Sequence, residues 1–244
     1  MIRFIFVVIF LITYLILSIP VFFVEWIIGK FNREKKDYSC LRIVQWGFKV
    51  ILRITGVKTT IIGEENVPDE PVLFIGNHRS FFDILLTYSR CKRLTGYVAK
   101  KEMEKIPLLS TWMKLLYCLF LDRKDTREGL KTILQAIDYV KQGISICIFP
   151  EGTRNKGEEL SMLPFRDGAL KIAEKTGCAI LPISMNNTAE IFENHFPRIK
   201  KTHVVIEYGK PIYPKELDKE TRKHLGTYCQ NLIQETINHN AELV

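Results

Sequence analysis

The stretch Val72-Leu73-Phe74-Ile75-Gly76-Asn77-His78-Arg79-Ser80-Phe81-Phe82-Asp83 decides how the rest of the chain is read. It opens as an apolar run with strand character, stops at Gly76-Asn77, and then sets a His and an Asp five positions apart. In one continuous helix, five steps of about 100° would put His78 and Asp83 on different faces, so a turn must separate them if they are to meet. A strand over 72–75, a loop at Gly76-Asn77-His78-Arg79 and a helix opening at Ser80 supply that turn. Ser80 is a good N-cap, and Asp83 falls three residues later, where an acid suits the first turn. In this geometry the Asp83 carboxylate can keep one ring nitrogen of His78 protonated while the other acts as a general base. The same residues also fit a plainer arrangement, in which Asp83 only caps the helix and His78 is an exposed loop residue.

The chain has 244 residues, 47% of them hydrophobic, enough for one large domain with an appendage and a sizeable core. Its six cysteines form no CxxC pair and sit mostly inside apolar runs such as Ile146-Cys147-Ile148, which suits buried free thiols rather than a disulfide framework. No metal is expected, because the five His residues form neither HxxxH nor HExxH pairs. The net charge of +8 is unevenly placed: from Lys30 to Lys58, eight basic residues face two acids, directly after an apolar segment. That placement points to an anionic membrane surface rather than to nucleic acid.

Residues 4–24 carry no charge and, as a helix, reach about 30 Å, the thickness of a bilayer core. The run is long for a signal peptide and lacks a small-residue cleavage site, so membrane retention is expected. Residues 41–57 read as a second helix with a basic stripe of Arg42, Gln45, Lys49 and Arg53, while Val44, Trp46, Phe48, Ile51 and Leu52 cover much of the rest. Such a helix suits either the membrane interface or packing on the domain. The basic excess after the first helix places the following domain on the cytoplasmic side. The expected division is therefore a membrane anchor and interfacial helix over 1–57 and an α/β domain over 58–244.

From Lys58 onward, strand candidates at 59–62, 72–75, 95–99, 119–121, 145–149, 180–184 and 204–208 alternate with helical patterns. A helix over 126–141 shows Leu130, Ile133, Leu134, Ile137 and Val140 on one face, and further helices are expected over 165–176 and 215–240. This is a single mixed-sheet α/β domain flanked by helices.

Other motifs lie at strand ends. In Phe149-Pro150-Glu151-Gly152-Thr153-Arg154, Pro150 ends the ladder and Gly152 frees the backbone for close approach to a ligand. Thr153 adds a hydroxyl, and Arg154 offers a fork of donors suited to phosphate, or is simply a surface Arg on a turn. Arg123 follows another short strand and either binds an anion or pairs with Asp122; Lys100 ends a third, where solvated surface is the default. Four strand ends thus carry His78, Lys100, Arg123 and Arg154, and ligands of open α/β sheets bind at strand carboxyl ends. A general base beside several cations implies a phosphate-bearing alcohol as substrate.

In this order, Asn77-His78-x4-Asp83, Phe120-x2-Arg123, Phe149-Pro150-Glu151-Gly152-Thr153-Arg154 and Leu181-Pro182-Ile183 resemble the four motifs of the glycerolipid acyltransferase family. Within it they look like the 1-acyl-sn-glycerol-3-phosphate acyltransferases of bacterial type, over roughly residues 40–215. The resemblance implies His78 as catalytic base with Asp83 as its partner. It implies Lys100, Arg123 and Arg154 as phosphate ligands, and Glu151 and Gly152 in an acceptor-binding loop together with Thr153. The segment before Arg123 lacks the Gly common there, and Arg166 stands where the family often has Lys. The implied reaction moves a fatty acyl group from acyl-CoA or acyl-carrier protein to the sn-2 hydroxyl of lysophosphatidic acid, forming phosphatidic acid beside membrane lipids and without a cofactor. Acylation of another lysophospholipid, a thioesterase, and a tethered lipid-binding protein are the alternatives.

Overall fold

The computed structural model describes residues 1–123 and 125–244, with the side chain of residue 167 left aside. Seven strands form its centre: β1 (Lys58–Ile62), β2 (Leu73–Gly76), β3 (Thr95–Lys100), β4 (Leu119–Leu121), β5 (Ser145–Ile148), β6 (Ile180–Asn186) and β7 (His203–Tyr208). They lie in the order β1-β7-β6-β2-β5-β3-β4. Only β6 and β7 pair antiparallel, so the sheet is mixed, as expected. Each strand expected from the sequence is present. Because β6, β2, β5, β3 and β4 all run the same way, Gly76, Ile148, Lys100 and Leu121 end their strands along one edge.

The helices are α1 (Ile2–Phe31), α2 (Arg33–Thr55), α3 (Phe82–Tyr88), α4 (Leu109–Leu115), α5 (Thr126–Lys141), α6 (Lys171–Thr176), α7 (Lys219–Lys223) and α8 (Leu225–His239). They cover both sheet faces, which is why the central strands read as unbroken apolar runs. On one face Phe74, Cys147, Leu181 and Ile183 share a core with Leu41, Val44 and Ile51 of α2. On the other, Leu73, Ile75, Ile146 and Ile180 pack with Ile137, Ile172 and Ile233 of α5, α6 and α8.

Several local expectations change. The bounds of α5 are as expected, and Asp125 caps it by accepting from the N–H groups of Arg127 and Glu128. Its buried face is rotated, however: Ala136, Ile137 and Val140 are buried, while Leu130 and Leu134 remain 58% and 52% exposed. The small Ala136 lets the helix approach closely on its own side and leaves those two leucines on the flank. The helix expected over 165–176 is a short 3-10 turn, Asp167–Ala169, followed by α6. The one expected over 215–240 divides into α7 and α8 at His224, whose backbone (φ −114°, ψ 33°) leaves the helical region.

At the N-terminus, Asn32 in extended conformation separates α1 from α2, and its side chain caps α2 by accepting from the Lys35 N–H at 2.9 Å. The two helices fold back on each other: Tyr14 lies against Gly47, and Ser39 Oγ donates to Glu25 Oε1 at 2.6 Å. Of the two placements open to α2, the structure gives packing on the sheet. One side of α1 is covered by protein, with Trp112 Nε1 donating to Ser18 Oγ at 2.7 Å, while Ile5, Ile9, Ile12, Ile16 and Phe23 on the other are exposed. By length and composition α1 is sufficient to cross a membrane.

Candidate active site

β2 delivers His78 to the shared strand edge through a tightly held exit. A Cβ on Gly76 would lie 2.8 Å from the carbonyl oxygen of Ile183, so a larger residue would push β6 away. The Asn77 side chain then bonds the backbone of Met185 twice, donating to its carbonyl at 2.8 Å and accepting from its N–H at 2.9 Å. His78 donates its N–H to Glu151 Oε1 at 2.6 Å and accepts from the Asn155 N–H at 2.7 Å. Its ring stacks on Phe149, 4.3 Å between centroids and 10° from parallel.

The imidazole is oriented by Asp83, which is fully buried. Asp83 Oδ2 lies 2.8 Å from His78 Nδ1 and also accepts the N–H groups of Arg79 and Ser80 at 2.7 and 2.8 Å. Ser80 Oγ accepts in turn from the Phe82 N–H at 3.0 Å, so the helix itself begins at Phe82 rather than at Ser80. Capping and pairing are therefore not alternatives: one carboxylate oxygen starts α3 and holds the ring. A carboxylate at Nδ1 selects the tautomer with the proton there and leaves Nε2 as an acceptor. The His78 side chain is 15% exposed, so a substrate can reach it without the ring facing bulk water.

The 149–154 turn is built against this dyad. Gly152 adopts φ +72°, and a Cβ there would lie 3.0 Å from Arg166 Nε. Glu151, expected to face the acceptor, instead points inward: Oε1 holds the His78 N–H and Oε2 the Leu163 N–H at 2.8 Å. Burial pushes its carboxyl up from the ordinary value, and those two backbone bonds pull it back part of the way. Thr153 is exposed.

The expected cations follow strands that end along one sheet edge, and each has its own partners. Arg154 pairs with Glu193 Oε1 at 3.0 Å, its guanidinium 3.7 Å from the Phe81 ring centroid. On the other side of β5, Lys100 pairs with Glu102 at 3.0 Å. Burial first, and then the neighbouring Arg166, hold Arg123 below the ordinary arginine value, while Glu102 acts the other way. Arg123 and Arg166 thus act on each other, with Arg166 beside Gly152 and Glu102 facing both Arg123 and Lys100, a surface suited to a phosphate. Arg154 is held in an ion pair of its own with Glu193.

Three residues escaped the sequence reading. Glu193 accepts from Ser80 Oγ at 2.6 Å and the Phe81 N–H at 2.8 Å as well as from Arg154, and nothing in the 189–197 segment announces that role. Phe192, beside it, stacks on Phe4 of α1 at 5.5 Å. Arg79 is buried and donates to the carbonyls of Glu158 and Gly157, both at 2.8 Å, which fixes the loop after Arg154. Among the described residues no group of three or more His, Cys, Asp or Glu side chains could hold a metal ion.

A family model described as Acyltransferase matches residues 58–186, which contain the dyad, the 149–154 turn and all five parallel strands. This chain belongs to the acyltransferase family. Among relatives of the family, a 1-acyl-sn-glycerol-3-phosphate acyltransferase of Saccharomyces cerevisiae is 27% identical over 197 residues, covering 80% of this chain and 64% of that one. A probable 1-acyl-sn-glycerol-3-phosphate acyltransferase of Mycoplasma pneumoniae is 34% identical over 184 residues, covering 74% and 65%. The chain thus matches just under two thirds of the length of these relatives. The crystal structure of the 1-acyl-sn-glycerophosphate (LPA) acyltransferase of Thermotoga maritima has the same fold, with a TM-score of 0.82 at 22% identity, over 98% of this chain and 96% of that one. That correspondence includes α1 and α2, so the helical hairpin is part of the shared architecture.

Proposed function

We propose that this acyltransferase moves a fatty acyl group from a thioester, acyl-CoA or acyl-carrier protein, to the sn-2 hydroxyl of lysophosphatidic acid, giving phosphatidic acid. The observation that carries the reading is the 2.8 Å contact between His78 Nδ1 and the buried Asp83 Oδ2, which leaves Nε2 as the proton acceptor. His78 Nε2 takes the hydroxyl proton as the acceptor oxygen attacks the thioester carbonyl. Asp83 steadies the imidazolium, and the proton then passes to the departing thiolate. Lys100, Arg123 and Arg166 hold the acceptor phosphate beside Gly152, while Thr153 lines the same turn. Arg154 orders the start of α3 through Glu193, and its guanidinium adds to the cations that meet the headgroup. The names of the yeast and Mycoplasma relatives support this acceptor.

Residues 1–57 serve as the membrane-associated part and 58–244 as the acyltransferase domain on the cytoplasmic side. A helix docked along one side and apolar on the other is suited to lie in lipid, with the basic segment after it near anionic headgroups. Flotation with vesicles tests this, since a protein lacking the exposed apolar face of α1 should stay at the bottom of the gradient.

The reaction is tested with the full chain in detergent micelles, by following thiol release from acyl-CoA or acyl-carrier protein across a panel of acceptors. Release that requires lysophosphatidic acid supports the proposal. Release without any acceptor would make the protein a thioesterase, and equal rates with other lysophospholipids would remove the acceptor assignment.

A further inference from the structure

On the side of α2 turned away from α1 lies a groove of about 500 Å³, bounded by α2, the turn after α3, and strands β1 and β7. Arg42, Lys49 and Arg53 line it from α2, and Arg90 and Lys92 from the turn. The one acid lining it among the described residues is Glu64, which Arg90 already binds through Nε at 2.8 Å and Nη2 at 2.5 Å. Arg42 donates to Gln45 Oε1 at 3.2 Å. Lys49, Arg53 and Lys92 have no acidic partner among the described residues.

This gathering of charge is unfavourable by itself. Lys49 and Arg53 are a like-charged pair at i and i+4, which weakens a helix, and five cations around a low-dielectric wall repel one another until an anion joins them. Arg53 also answers the carbonyl end of α2. Arg42 and Lys49 sit further back along α2 and answer no helix end. The floor between the cations is apolar, made by Leu52, Ile61, Leu86 and Ile206. Gln45 fixes the walls by donating Nε2 to the carbonyls of Tyr88 and Cys91, at 3.2 and 2.7 Å, which ties the end of α3 to α2.

We propose that this groove is a second anion site, at the opposite end of α3 from Asp83, which takes a phosphate ester carried on an apolar body. The cations grip the phosphate and the floor receives the apolar part, the usual composition of a site for an amphiphilic ligand. Two carriers offer that chemistry: an anionic lipid, through its headgroup and the first part of its chains, and a soluble phosphate ester of a flat, weakly polar group. The site does not depend on the reaction assigned to His78.

The test uses the full chain in neutral detergent, titrated calorimetrically with adenosine 3′,5′-bisphosphate, and in parallel its association with vesicles of phosphatidylcholine alone or mixed with phosphatidylglycerol. The triple variant K49Q/R53Q/K92Q should weaken binding about tenfold or more, as loss of charge-assisted contacts implies, while His78→Ala leaves it unchanged. Saturable binding of the bisphosphate that the triple variant loses assigns the soluble ester; loss confined to the mixed vesicles assigns the lipid. Equal binding by wild type and triple variant, binding lost in His78→Ala instead, or no binding of either probe by wild type would overturn the proposal. Should the triple variant melt early, Lys92→Gln alone, on the turn, is read in its place, and Lys92→Arg should restore what it loses.

Discussion

Arg154 and Glu193 close an ion pair of 3.0 Å across 39 positions of sequence, and the same carboxylate accepts from Ser80 and Phe81 at the start of α3. A residue remote from every motif therefore holds the loop that follows His78, the proposed base. Glu193→Ala should lower kcat/KM about ten- to a hundredfold, the range expected when bonds to a charged group are lost. Glu193→Gln should recover part of this, because its oxygen can still accept from the Phe81 N–H. A fall in melting temperature with unchanged kcat/KM would leave Glu193 a structural role alone.

His78→Ala should reduce acyl transfer about 10²- to 10⁴-fold, the usual share of a general base, with binding of lysophosphatidic acid retained. Asp83→Asn separates two functions of one side chain. Its amide oxygen can still accept the N–H groups of Arg79 and Ser80, so melting should change little, while the lost charge should depress kcat. Wild-type kcat in D83N would remove the carboxylate from the mechanism.

Gly152→Ala meets two obstacles at once. A left-handed conformation costs a residue with a Cβ about 1–2 kcal/mol, and the new carbon would stand 3.0 Å from Arg166 Nε. The melting temperature should fall, and the KM for the phosphate-bearing acceptor should rise as Arg166 is displaced from Arg123. An acceptor KM equal to wild type would take Arg166 out of the headgroup surface.

Burial raises the Glu151 carboxyl in the folded chain above its unfolded value. The folded state then binds the proton more tightly, so the stability from this group is full below the unfolded value and is lost as pH rises through the folded one. Denaturation of wild type and Glu151→Gln over a pH series should show the wild-type advantage shrinking across that window. A constant difference would mean that Glu151 titrates as it does in the unfolded chain.

The strands were legible because most are short apolar runs closed by Gly, Pro or a charged residue, and parallel order at one edge followed from their alternation with helices. The pairing of His78 with Asp83 was legible because both lie within one strand-loop-helix unit, where spacing constrains geometry. Periodicity found α5 but not its buried face, since Leu130 and Leu134 are as apolar as Ile137 and only the approach allowed by Ala136 decides between them. The inward turn of Glu151 and the tether from Glu193 were not legible. Both depend on backbone N–H groups that tertiary structure brings near, and no local pattern encodes which carboxylates will be claimed in this way.

The aromatic stack of Phe4 on Phe192 gives the enzyme a mechanical link to its surroundings. Phe192 is adjacent to Glu193, so the outermost turn of the apolar helix is braced against the immediate neighbour of the residue that steadies the loop beyond the imidazole. If α1 lies in lipid as proposed, a helix that settles deeper or lifts would carry that brace with it, and turnover would depend on how the protein is seated. Specific activity should accordingly rise on transfer from micelles to bilayers, and Phe4→Ala should abolish the rise while leaving the micellar rate in place.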